Sequence, residues 1–423
     1  MSDPAISEPI QEFLLKQESE LRFEVETGST VSLQLLNGKA EVFGTELLQT
    51  IDYRFDSQAK IAVFTWHGCR LKLSGKTEVT YISSDTPMVM YVNTHAALEQ
   101  MRQKAEKDHT RGPRAMLVGP KDVGKSTLCR ILLNYGLRVG HRPILVDLDV
   151  GQGAISLPGT VGAVVPEKPL DPVSGYINEN PVVYHFGHLS PADNEKLYHN
   201  LIDLLVNVCD LRCSNSRRAD ISGLLINTCG FVKGSGYRSL LHTAEQFKLD
   251  VVFVMDQERL YNELKRDLPS EINLVLLPKS PGVVERSQAN RREARDKRVK
   301  EYFYGVKHAL TPHRVELPFA EIEIFKIGAP SLPASLLPLD TEQDDCETKL
   351  VPVKLGPDLS HKVLSVSLAE CEDDIIETNI AGFVIVQEVN VEKKVLSVLS
   401  PRPYPLPSCY FIMGDLSYMD LEV

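Results

Sequence analysis

VGPKDVGKSTLCR, residues 118–130, holds two glycines, a lysine and a serine at the spacing Gly119-x-x-x-x-Gly124-Lys125-Ser126. The apolar run AMLV leads into it and the helix-forming stretch TLCRILLNYGL leaves it. Strand, glycine-rich loop and helix in that order form the layout of a phosphate-binding P-loop. Glycines let successive backbone amides curl around a phosphate, and the helix N-terminus adds partial positive charge. Lys125 can then reach the β- and γ-oxygens, and Ser126 can ligate Mg²⁺. Gly119, Asp122, Val123, Gly124, Lys125, Ser126 and Thr127 are the residues this motif offers to a nucleotide. LSGKT at 73–77 ends similarly, but Arg70 stands where the first glycine belongs and the segment alternates like a strand.

Outward from the loop, residues 114 to about 305 alternate apolar runs (AMLV, PILVDL, GLLINT, DVVFVMD, NLVLLP) with helical segments such as KLYHNLIDLLVNVCDL. Runs of this kind read as strands buried on both faces, and the pattern predicts a doubly wound parallel sheet. Before it, ELRFEVE, SLQLLNGKAEVF, AKIAVFTW, EVTYIS and MVMYV predict short antiparallel strands of a β-sandwich, with a tight hairpin at Asn37-Gly38. The stretch HAALEQMRQKAEKDHTRGP then reads as a linking helix stopped by Gly112-Pro113. After about residue 310, short strands return (RVELPF, EIEIFKIG, VLSVSL, GFVIVQEVNV, KKVLSVLS), with a Pro-rich linker near 330–338 and acidic DTEQDD behind it. The expected fold class is α/β: a central P-loop domain (109–310) flanked by an N-terminal β-sandwich with its linking helix (1–108) and a C-terminal mostly β domain (311–423).

With 423 residues, 43% of them hydrophobic, the chain can fill more than one core. A formal net charge of −11 disfavours wholesale coating of nucleic acid, so any such contact needs a local basic patch. Eight cysteines, with Cys209 and Cys213 the only close pair and no zinc-site spacing, read as free thiols. No apolar stretch approaches the roughly 20 residues that span a bilayer, and MSDPAISEPIQEF lacks the grammar of a signal peptide. A soluble protein of nucleus or cytosol is expected.

A P-loop leaves the phosphate acceptor open. The guanine-reading Asn-Lys-x-Asp pattern is absent, which argues against a GTPase. VDLDVGQG ends a strand in Asp147 and Asp149, expected on the same side of the sheet's C-terminal edge, where open parallel sheets bind ligands. Either could hold the Mg²⁺ shell or take a proton from an attacking hydroxyl. Asp149, nearer the glycine-rich exit, is preferred, and their relative roles stay open. Downstream, residues 286–300 carry seven basic residues against two acids. Arg291, Arg295 and Arg298 would share a helix face. The segment reads either as a lid bringing guanidinium groups to a transferring phosphoryl, or as a solvated helix with a Glu293–Lys297 pair.

GPKDVGKST, VDLDVGQG, YHFGH, NTCGFVKGSGY, DQERLYNELKRDLP, LLPKSPGVVERS and KEYFYG together resemble the eukaryotic polyribonucleotide 5′-hydroxyl kinase family. The likeness runs through essentially the whole chain, and it supplies the acceptor: the 5′-hydroxyl of an RNA end, with ATP as donor. It further implies Lys125 as the phosphate-binding lysine, Ser126 and Asp149 at Mg²⁺, Asp149 as base, and Arg286 and Arg291 as lid arginines. It sends Glu20 and Lys60 of the sandwich to the adenine, which no motif could have indicated. Ser190 and Asn194 fall at a loop that clasps the RNA end, although SPADN departs from the threonine-containing version. Phe231 stands where the family leads one to expect a tryptophan stacked on an RNA base; the alternative is a core residue at a strand end. Subunits of the pre-mRNA cleavage factor and of the tRNA splicing endonuclease are implied as partners, and the nucleus as location. A catalytically silent, ATP-bound scaffold of the 3′-end processing complex is the competing reading.

Overall fold

The computed structural model describes residues 10–175, 180–306, 309–328 and 348–419. Nine strands build the N-terminal sandwich: β1 (Ile10–Leu15), β2 (Ser19–Val25), β3 (Val31–Gly38), β4 (Glu41–Val42), β5 (Thr45–Glu46), β6 (Asp52–Phe55), β7 (Lys60–Thr65), β8 (Cys69–Gly75) and β9 (Thr77–Ser83). They form a four-stranded sheet, β1-β8-β3-β6, and a five-stranded one, β5-β4-β7-β2-β9. Alternation along β3 sends Val31, Leu33 and Leu35 inward, where they meet Leu21, Phe23 and Val63 of the other sheet.

The expected hairpin at Asn37-Gly38 does not form. Both residues stay in β3 opposite Arg70 and Cys69 of β8, past a register shift between Leu35 and Asn37. Glycine is needed at 38 because φ is +85° and a Cβ there would lie 2.5 Å from the Gly68 carbonyl. MVMYV is likewise not a strand. It opens α1 (Met88–Lys107), whose buried Met88, Tyr91, His95, Leu98, Arg102 and Ala105 recur every three or four residues. That helical period outweighs the β-propensity of one short run. The helix packs on α2 (Lys125–Arg138) and is anchored through fully buried Arg102, whose Nε donates to the Ser222 carbonyl at 3.0 Å.

The central domain continues with β10 (Arg114–Val118), β11 (Ile144–Asp147), β12 (Thr160–Val164), β13 (Val182–His185), α3 (Glu195–Asn215), α4 (Arg217–Ser222), β14 (Leu224–Asn227), α5 (Ser235–Gln246), β15 (Val251–Met255), α6 (Glu258–Asp267), β16 (Asn273–Leu277) and α7 (Gln288–Tyr304). Its strand order is β13-β12-β11-β14-β10-β15-β16. The five apolar runs form the parallel part, β11-β14-β10-β15-β16. The sheet is nevertheless mixed, since β12 and β13 extend it antiparallel. β16 is also not buried on both faces: it is the edge strand, and Val275 and Leu276 are exposed.

The C-terminal domain is one sheet, β17 (His313–Pro318), β18 (Glu323–Ile327), β19 (Leu350–Pro352), β20 (Lys362–Ser367), β21 (Ile380–Asn390), β22 (Val395–Ser400) and β23 (Tyr410–Ser417), in the order β17-β22-β21-β20-β23-β18-β19. The Pro-rich segment and DTEQDD fall outside the described residues. This sheet docks on the end of β13: His185 Nδ1 meets Ser365 Oγ at 2.7 Å and the Asp415 amide donates to the Gly187 carbonyl at 2.7 Å. On the other side, Asn134 of α2 donates to the Phe43 carbonyl (2.8 Å), and Arg138 pairs with Glu41 and Glu46. The sandwich is thereby held against α2, and its Glu20 and Lys60 share a cleft with the loop that follows β10. Cysteines 69, 129, 209, 213, 229, 371 and 409 are free, and no described helix is long and apolar enough to cross a membrane.

Candidate active site

Between sandwich and central sheet lies a cleft of about 500 Å³, within the range of small-molecule sites. Its floor is the loop between β10 and α2. Gly119 starts that loop at φ +151°, where a Cβ would lie 2.8 Å from the Met255 carbonyl. Gly124, at φ +92°, caps the helix N-terminus. From Asp122 to Thr127 every residue lines the cleft. The Lys125 ammonium is buried and donates to the Gly119 (2.9 Å) and Pro120 (2.7 Å) carbonyls. Burial lowers its pKa, and Asp149, Cys229 and Asp122 partly offset this.

Asp147 and Asp149 do not play matching parts. Asp147, at the last position of β11, is 4% exposed and accepts the backbone amides of Asp149 (3.1 Å) and Ala154 and the Asn227 side-chain amide (3.0 Å). Asp149 follows in the turn, lines the cleft, and accepts the amides of Gly151 (3.1 Å) and Gln152 (3.2 Å). Burial and the neighbouring Asp147 push the Asp149 carboxyl up to about 6, against the pull of Lys125. That makes Asp149 a usable proton acceptor near neutrality. The Ser126 hydroxyl and the Asp149 carboxylate, which both line the cleft, suit Mg²⁺, which takes hard oxygen donors.

The basic stretch is a helix, α7, laid across the cleft. Arg286, Arg291 and Arg295 line the cavity. The Arg286 Nε (3.0 Å) and Arg291 guanidinium both donate to the Asp122 carboxylate, and the Arg286 amide adds a third bond (3.1 Å). Burial raises the Asp122 pKa, but these donors outweigh it and hold the group below its ordinary value. The Glu293–Lys297 pair considered for a solvated helix is not formed: Lys297 faces Asp56 of the sandwich and Glu301.

Glu20 and Lys60 both lie on the sandwich wall of the same cleft. Glu20 is buried, held by Arg22 and by Thr86 Oγ1 at 3.0 Å, while Lys60 pairs with Glu24 at 2.8 Å. Ser190 and half-buried Phe231 of the central domain also line the cleft, and the Phe231 ring packs where a side chain at Gly236 would sit. Asn194 is not in the lining: it is 5% exposed and its Oδ1 caps α3 by accepting the Leu197 amide at 3.0 Å. Sequence reasoning missed Arg22, which orients Glu20, and Asn227, which joins Asp147 to Ser126; neither belongs to a recognisable spacing.

Comparison with known proteins covers all three domains. Residues 119–305 match the mRNA cleavage and polyadenylation factor CLP1 P-loop, 14–105 the N-terminal beta-sandwich domain of polyadenylation factor, and 310–420 the pre-mRNA cleavage complex II protein Clp1. A Gallus gallus protein named polyribonucleotide 5′-hydroxyl-kinase Clp1 is 55% identical across 98% of this chain and 97% of its own. The chain belongs to the Clp1 family. The Homo sapiens protein of the same name is also 55% identical, covering 98% of each chain. A solved structure of wild-type Clp1p in complex with Pcf11p superposes with a TM-score of 0.87 at 24% identity, over 98% of this chain and 100% of that one. The Clp1 fold, sandwich, P-loop domain and β-rich C-terminal domain, is thus the fold of this protein.

Proposed function

We propose that this Clp1-family protein is an ATP-dependent polynucleotide 5′-hydroxyl kinase that phosphorylates RNA 5′ ends, and that it works in the nucleus with subunits of the pre-mRNA cleavage factor and the tRNA splicing endonuclease. One observation carries the reading: a P-loop lysine, a carboxylate with raised pKa and two lid arginines line one cleft, which residues of the sandwich and of the central domain enclose together. Relatives that are 55% identical are named for this activity.

In the proposed reaction the sandwich wall with Glu20 and Lys60 takes the adenine, and the amides of residues 122–127 take the phosphates. Phe231 and Ser190 hold the RNA end. The 5′-hydroxyl gives its proton to Asp149 as its oxygen bonds to the γ-phosphorus; the bond to the β-phosphate oxygen breaks and ADP leaves. Arg286, Arg291 and Lys125 face the charge that spreads over the transferring group. Ser126 and Asp149 would hold Mg²⁺, which neutralises phosphate charge when bound.

The competing scaffold reading draws on the cleft having walls from two domains, so that a bound nucleotide would tie them together. Incubation with γ-labelled ATP, Mg²⁺ and a 5′-hydroxyl oligoribonucleotide separates the readings. The kinase labels the RNA and Lys125→Ala does not; tight ATP retention without label supports the scaffold, and ATP hydrolysis without RNA supports a simple ATPase.

A further inference from the structure

β14 lies between β10 and β11, so Asn227 at its end is the register partner of Leu117 on one side and Asp147 on the other. It is 3% exposed. Its Nδ2 donates to Asp147 Oδ1 at 3.0 Å, and its Oδ1 accepts from the Ser126 hydroxyl at 3.4 Å. Asp147 in turn holds the amides of Asp149 and Ala154, the two ends of the turn that presents Asp149. One carboxamide therefore links the first turn of α2 to the loop carrying the acid. A side-chain amide suits this post because it donates to a carboxylate with one end and accepts from a hydroxyl with the other. An aspartate would set two carboxylates against each other, and a serine is too short to span both partners.

We propose that Asn227 is a positioning residue of the transfer site: it holds Ser126 and the Asp149 turn in one register, so that their oxygens converge on a divalent cation bound with the nucleotide. Its kinetic consequence rests on the kinase reading, whereas its consequence for metal-linked nucleotide binding does not. Partners behind metal ligands set ligand orientation, and losing one costs about 10- to 100-fold in metal affinity or activity.

Calorimetric titration with ATP, with and without Mg²⁺, provides the test. In Asn227→Ala, metal-free ATP affinity stays within about twofold of the parent, while the enhancement by Mg²⁺ falls about 10-fold or more. The rate constant for RNA labelling drops by a similar factor with the KM for RNA unchanged. Ser126→Ala also removes the Mg²⁺ enhancement, and adding Asn227→Ala to it causes little further loss, because coupled residues are not additive. Full Mg²⁺ enhancement in Asn227→Ala, a loss confined to metal-free ATP binding, or additive losses in the double variant overturns the proposal. If the parent transfers no phosphoryl group yet the Mg²⁺-linked binding changes as described, the kinase reading fails and the role of Asn227 stands. Asn227→Ser, which fills more of the site without bridging it, carries the same expectations should the alanine variant not fold.

Discussion

The carboxylate of Asp122, inside the P-loop, is the shared acceptor for the guanidinium groups of Arg286 and Arg291 at the start of the lid. Asp122 sits at φ +55° and is almost fully enclosed. Loop and lid are thus fastened at a point next to Lys125, and the arginines are set at the phosphate end of the cleft before chemistry begins.

Asp122→Asn keeps the side-chain shape and tolerates the left-handed backbone, but removes the charge that both arginines pair with. Amide hydrogen exchange across residues 286–296 is expected to rise. The rate constant for transfer is expected to fall about 10- to 100-fold through misplacement of the arginines, with a smaller change in ATP affinity. Unchanged exchange in the lid would show that Asp122 does not fasten it.

The raised Asp149 pKa gives a pH profile. A base works only when deprotonated, so at the lowest Mg²⁺ that supports transfer the rate constant should fall below a limb near 6, and added Mg²⁺, which competes with the proton for Asp149, should move that limb to lower pH. An ordinary aspartate would place that limb near pH 4. Measuring single-turnover transfer from pH 5 to 8 distinguishes the two positions.

Phe231 presents less ring than the tryptophan that the family resemblance leads one to expect. Because stacking a base on an aromatic is worth roughly 1 to 3 kcal/mol, Phe231→Ala should raise the KM for a 5′-hydroxyl oligonucleotide at least about fivefold. Phe231→Trp should lower it, with ATP affinity constant in both. A KM insensitive to either change would return Phe231 to a packing role.

His185, buried under the C-terminal sheet against Ser365, is held neutral: burial lowers its pKa from 6.5 to about 3. Its folded value lies below its unfolded one, so its stabilising contribution is complete above about pH 6.5. It is lost as acidification charges the unfolded chain first, by up to about 1.4 kcal/mol per pH unit. Thermal midpoints should fall from pH 7 to pH 5, and His185→Gln should flatten that slope. An equal slope in the variant would assign the acid sensitivity elsewhere.

What could be read from the sequence was local. The P-loop, the five parallel strands and the basic α7 announce themselves within windows of about twenty residues, because turn chemistry and burial on both faces act over that range. MVMYV misled because five apolar residues carry no period of their own; the buried positions that settle α1 extend to Ala105. β12 and β13 escaped because antiparallel additions to a parallel sheet leave no distinct pattern. Glu20 and Lys60 reach the cleft only through docking of the sandwich, which Arg138 and Asn134 secure from another domain. The resemblance supplied those two residues, and it also named Asn194, which the fold uses to cap α3.

The most direct test of the account is phosphoryl transfer by Asp149→Asn beside the parent protein, with ATP binding measured on both. The account predicts label on a 5′-hydroxyl oligoribonucleotide with the parent, none on a 5′-phosphorylated control, and loss of transfer in Asp149→Asn while ATP still binds. Transfer undiminished in Asp149→Asn, or a parent protein that retains ATP and labels no RNA, would contradict it.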